Sequence, residues 1–81
     1  MTLGEACGEV LRHERHRRGL TLQEASRIVP CSISYLSDME RGRHNPGLVT
    51  LQAFAVIYGV KLSDLIFCAE EIVEEADGRT G

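Results

Sequence analysis

The sequence predicts an all-α chain of five helices. Three observations carry that expectation. Apolar residues recur at the spacing of about 3.6 that marks amphipathic helices, and no segment alternates as a strand would. Gly19, Pro30, Gly42 and Gly59 interrupt the chain at short intervals with residues that close or break helices. Thr21, Ser32 and Ser63, all good N-cap residues, follow three of these breaks.

The first helix is expected over residues 3–18, where Leu3, Cys7, Val10 and Leu11 form one apolar stripe. Its basic last turn suits the helix dipole, and Gly19 closes it. Thr21 with Glu24 three residues on is a capping box for a second helix over residues 22–29. Pro30 cannot continue that helix, so the chain turns. Ser32 caps a third helix, residues 33–41, which Gly42 stops. Residues 43–47, RHNPG, read as a loop. A fourth helix over residues 48–58 ends at Gly59, and Ser63 is the N-cap candidate for a fifth over residues 64–75. Residues 77–81 should fray.

Eighty-one residues suffice for one domain, taken here as residues 1–81, and for a modest core. A hydrophobic share of 43% argues against disorder. No apolar run approaches the roughly 20 residues of a bilayer span, and no basic-then-apolar leader is present, so a cytoplasmic protein without membrane contact is expected. Cys7, Cys31 and Cys68 are odd in number and far apart, a poor disulfide framework; each is expected to act as a small buried hydrophobe. The net charge of −3 is unevenly placed. Residues 68–81 hold five carboxylates against one arginine, a net of −4, which leaves +1 on residues 1–67. Basic groups crowd at Arg12, Arg15, Arg17 and Arg18, with Arg41 and Arg43 later. Arg17 and Arg18 suit either a helix-ending role or phosphate contact.

Residues 20–42 are the most informative stretch. Two short helices, a tight joint and a glycine stop form the pattern of a helix-turn-helix, whose second helix can enter a DNA major groove. Leu22, Ala25 and Val29 face inward from the first helix of the pair, Leu36 and Met39 from the second, and Ser26 is expected at the closest approach. Ile33, Ser34, Ser37 and Asp38 are left on the outer face. Serine suits base edges, isoleucine a thymine methyl, and a carboxylate can accept from cytosine N4. The free amides at the two helix N-termini suit backbone phosphates.

Over about residues 8–66 the chain resembles the Cro/C1-type, lambda-repressor-like helix-turn-helix family of bacterial and phage regulators. The resemblance is carried by R-x-x-x-G-L-T (Arg15 to Thr21), S-x-S-Y-L-S (Ser32 to Ser37), E-R-G (Glu40 to Gly42), N-P (Asn45, Pro46), T-L-x-x-F-A (Thr50 to Ala55) and G-V-x-L-S-D-L (Gly59 to Leu65). It implies a five-helix DNA-binding domain that acts as a dimer on inverted repeats. It makes the third helix the recognition helix, with Ile33, Ser34, Ser37 and Asp38 reading bases. Thr21, Gln23, Ser32, Tyr35, Arg41, Arg43, His44 and Asn45 become candidates for DNA contact, mostly at phosphates. It also implies a structural ion pair between Arg15 and Glu40. The chain departs from the family in having Leu22 where glutamine often opens the second helix, Pro30 where glycine often makes the turn, and Ile33 and Asp38 where arginine or glutamine often reads.

The fifth helix carries a long apolar stripe of Leu62, Leu65, Ile66, Ala69, Ile72, Val73 and Ala76, widened by Phe67 and Cys68. Val56 and Ile57 add to it from the fourth. The stripe either folds into the chain's own core or forms a two-fold seam; the seam is favoured, with Val56, Ile57, Phe67, Ile72 and Val73 as interface candidates. His13 and His16 near Cys7 lack the tight ligand pairing of a zinc site, so neither metal nor cofactor is expected. No nucleophile stands beside a base, so no enzyme is expected. The expectation is a homodimeric transcriptional regulator, a repressor by default, on a palindromic operator. Its rival is a protein-interaction module that binds a protein partner through helix 5, motivated by the acidic C-terminus and the cation-poor third helix.

Overall fold

A computed structural model describes residues 1–78 of the chain. Five helices follow one another: α1 (Leu3–Arg17), α2 (Leu22–Ile28), α3 (Ile33–Glu40), α4 (Leu48–Tyr58) and α5 (Leu62–Ala76). No strand occurs among the described residues.

Local chemistry sets most boundaries. Thr2 and Thr21 each accept from the backbone N–H three residues on, while Glu5 and Glu24 accept from the threonine N–H in return. Both helices thus open with a capping box, which satisfies two of their unpaired donors. Those hydrogen bonds hold the Glu5 and Glu24 carboxyls below the usual carboxylate range. Ser32 Oγ accepts from Tyr35 N–H and opens α3. Val29 is extended, at φ −96° and ψ 101°, as the residue before a proline must be. Pro30 therefore ends α2 and turns the chain into α3.

The first, third and fourth helices close alike. Gly19, Gly42 and Gly59 adopt φ of +66°, +78° and +68°, where a side chain would be strained. Each donates to the carbonyl three residues back, and the residue after it reaches five back. This is the Schellman closure.

The helices share one core. Ala6, Cys7, Val10 and Leu11 of α1 meet Leu36 and Met39 of α3, Leu51, Phe54, Ala55 and Tyr58 of α4, and Leu65 and Ala69 of α5. α5 lies along α1, α3 packs on α1 and α2, and α4 bends into α5 through 108°. Gly8 sits where α1 crosses the end of α3, and a Cβ there would collide with the Met39 and Glu40 carbonyls. Arg18 lies over the Tyr58 ring, 5.2 Å from its centroid. Burial raises the Tyr58 phenol above its usual range.

Several expectations need correction. α1, α2 and α3 each end one residue earlier than expected, because Arg18, Val29 and Arg41 are caps. α5 begins at Leu62 with Lys61 as its N-cap, so Ser63 lies inside the helix and caps nothing. Ala25 is fully buried, whereas Ser26, expected at the closest approach, is half-buried and its Oγ donates to Gln23 O. Leu3 is exposed. Of the three cysteines, Cys7 is buried, Cys31 half-buried and Cys68 exposed. Of the residues expected to fray, Arg79, Thr80 and Gly81 lie outside the described residues.

Candidate nucleic-acid interface

α3 has two faces of opposite character. Leu36, Met39 and Glu40 are buried against the rest of the chain, while Ser32, Ile33, Ser34 and Tyr35 are exposed and Ser37 and Asp38 half-exposed. The spacing of the buried residues accounts for most of this. Positions 36, 39 and 40 share one helical side, so 34, 37 and 38 turn away from it; Ile33 falls on the side of 36 and 40 and is exposed at the first position of the helix. Ile33 is an apolar residue held in solvent, a position where burial by a partner lowers free energy.

The helix is braced from behind. Arg15 Nε donates to Glu40 Oε2 at 2.8 Å, and Arg15 Nη2 donates to Glu40 Oε1 at 3.0 Å. Arg15 Nη1 donates to Leu20 O at 2.8 Å, which ties in the chain just before α2. Both charged side chains are more than nine-tenths buried. This forked geometry is the strong form of an ion pair. The Glu40 hydrogen bond in turn raises the Arg15 pKa, so its charge is permanent.

Thr21 and Gln23 are exposed at the start of α2, and Thr21 Oγ1 is already engaged as a cap. Arg41, Arg43, His44 and Asn45 are all exposed in the segment after α3. Asn45 leans back over Gly4 of α1. Arg43 and His44 turn toward Asp38: Arg43 Nη1 stands 3.5 Å from Oδ1, and His44 Nε2 stands 3.9 Å from Oδ2. The His44 ring stacks on Tyr35, with centroids 5.3 Å apart and planes inclined by 26°. Eleven of the twelve DNA-contact candidates therefore lie in the exposed run formed by the α2 start, α3 and the following loop; Asn45 leans away from it toward α1.

Sequence reasoning omitted one residue from the candidate interface. Arg12 of α1 lines an open cleft between α1 and α3 together with Ser37 and Arg41. Neither Arg12 nor Arg41 has an ion-pair partner among the described residues. The signal for Arg12 was the cluster of arginines on the first helix. Within that cluster, Arg17 and Arg18 both pair with Glu14 of the same helix. Among the described residues no cluster of His, Cys, Asp or Glu could hold a metal ion.

The proposed interface residues divide. Ile57, Ile72 and Val73 are half-buried and pack on the chain's own core. Val56 and Phe67 are 74% and 60% exposed, and Val49, unnamed in the sequence reading, is 80% exposed. Most of the α5 stripe therefore serves the fold. Exposed apolar groups near the proposed seam lie on α4, where Val49 and Val56 are two turns apart, and on the first half of α5 at Phe67. No single helix is long and apolar enough to cross a membrane.

Comparisons with known proteins bear on the fold and the family. Residues 6–65 match the model of a helix-turn-helix domain family. The HTH-type transcriptional regulator DdrOP3 of Deinococcus deserti is 48% identical over 58 residues, covering 72% of this chain and 45% of that protein. The immunity repressor protein of Bacillus phage phi105 is 38% identical over 66 residues, covering 82% of this chain and 43% of its own. The chain thus spans less than half the length of either relative. The crystal structure of the clp gene regulator ClgR from Corynebacterium glutamicum superposes with a TM-score of 0.90 at 29% identity, covering 98% of this chain and 84% of that one.

Proposed function

Since the chain belongs to the Cro/C1-type, lambda-repressor-like helix-turn-helix family, we propose that it is a DNA-binding transcriptional regulator, a repressor that holds a palindromic operator as a homodimer. The observation that carries this reading is the outward face of α3. Ile33, Ser34, Ser37 and Asp38 stand clear of the core on a helix clamped from behind by the Arg15–Glu40 pair. That is the arrangement a major-groove reader needs: a rigid element with short polar and apolar side chains at its free surface. The amides at the α2 start, Arg41, Arg43 and Arg12 border the same surface and suit phosphates. Repression is supported by the name of the phage relative and by its economy, since occupancy of a promoter is enough. Regulation needs no cofactor or metal in this reading, no enzymatic step is involved, and the protein works in the cytoplasm.

Homodimerisation is supported by Val49, Val56 and Phe67, apolar groups that a second copy can cover. The acidic side of α5 flanks them and disfavours larger assemblies. Selecting bound duplexes from a random pool tests the function. A two-fold symmetric motif, with affinity that falls steeply as salt rises, is the expected result. Failure to bind any duplex at low salt would favour the protein-interaction module instead.

A further inference from the structure

We propose that Asp38 is a positioning residue that acts on DNA through Arg43 and His44 and does not itself read a base. The inference rests on the DNA-binding reading above, and it changes the role of one residue within it.

The backbone dictates the contact. At the end of α3, Gly42 N–H donates to Met39 O at 3.1 Å and Arg43 N–H donates to Asp38 O at 2.9 Å. This closure sets residue 43 beside residue 38, in the place where an apolar contact commonly forms. At Gly59 the equivalent positions are Ala55 and Val60, an apolar pair. At Gly19 they are Arg15 and Leu20, and Arg15 Nη1 donates to the Leu20 carbonyl. At Gly42 they carry opposite charges, and the Asp38 carboxylate faces the Arg43 guanidinium.

The second carboxylate oxygen is also directed inward. Oδ2 faces His44 Nε2, and the His44 ring is held flat on Tyr35. Both oxygens of Asp38 thus point at the loop. A cytosine N4 would compete with these partners for the Asp38 lone pairs. Exposed pairs of this kind add little stability. Their effect is geometric: Arg43 and His44 are drawn beside the reading face, and the charge of Asp38 faces an arginine of the protein before phosphates approach. The cation-poor appearance of α3 is met by Arg41 and Arg43 directly after it.

A double-mutant cycle on the full chain tests this, with a duplex selected from a random pool as the probe. Asp38→Asn is expected to lower the preference for that duplex over random DNA about fivefold, and to change it less than about twofold when Arg43→Gln and His44→Gln are already present. A similar loss in both backgrounds, confined to one base pair, would make Asp38 a direct reader and overturn the inference while leaving DNA binding intact. An Asp38→Asn chain with unaltered preference would overturn it too. Wild-type protein that binds no duplex would overturn both readings. A second measurement needs no DNA: nuclear Overhauser contacts between the Tyr35 and His44 rings should weaken in Asp38→Asn, and unchanged contacts would contradict the proposed clamp.

Discussion

The Arg15 guanidinium gives two nitrogens to Glu40 and a third to the Leu20 carbonyl, all inside the protein. One side chain therefore joins α1, the chain entering α2 and the end of α3. Glu40→Ala leaves that cation buried without a counter-charge and should cost about 3–5 kcal/mol in urea denaturation, enough to unfold much of a domain this small. Glycine 8 acts by absence: any side chain there meets the carbonyls of Met39 and Glu40. Gly8→Ala should lose about 2 kcal/mol by the same measurement, although alanine is the better helix former. A Gly8→Ala chain of wild-type stability would show that α1 and α3 are not in such close approach. These two sites differ in how far the sequence disclosed them. Arg15 and Glu40 are 25 positions apart, and only resemblance to a family joined them. Glycine within a helix reads as a weak point, and the crossing that demands it is a tertiary fact that no local pattern contains.

Among the elements, the ends written in local chemistry were the legible ones. Thr21 with Glu24, Ser32, Pro30 and Gly59 act through neighbours one to five residues away, and the structure uses each as a boundary. The N-terminus of α5 was not legible. Ser63 looks like a cap, but Leu62 is needed against the core, and burial draws the helix start back to Lys61. The capping boxes also make a pH prediction. The Glu5 and Glu24 carboxyls have folded-state pKa values below their ordinary 4.5. Their contribution to stability is therefore complete above that pH and is lost as pH falls through the lower, folded-state values. Glu5→Gln with Glu24→Gln keeps hydrogen-bond acceptors but does not titrate. Thermal melts of that variant should show a flatter acid limb than wild type, and an identical limb would contradict the assignment.

For the molecule as a whole, the decisive fact is that α5 folds along α1 and not away from it. Amphipathic periodicity revealed an apolar stripe on α5 but not which neighbour covers it; the sequence reading favoured a two-fold seam, and most of the stripe packs on the chain's own core. With Ile72 and Val73 engaged in the core, a charge at either position tests the fold more than the assembly. Val56→Glu changes a residue that is already exposed, so it should yield monomers in sedimentation with unaltered helicity. A Val56→Glu dimer as tight as wild type would remove α4 from the interface. The central claim is that α3 meets DNA, and the most direct measurement is an NMR titration of the labelled chain with a short selected duplex. Amide shifts concentrated at Thr21 to Gln23, Ile33 to Asp38 and Arg41 to His44 are the predicted result; shifts confined to α4 and α5, with α3 silent, would contradict it.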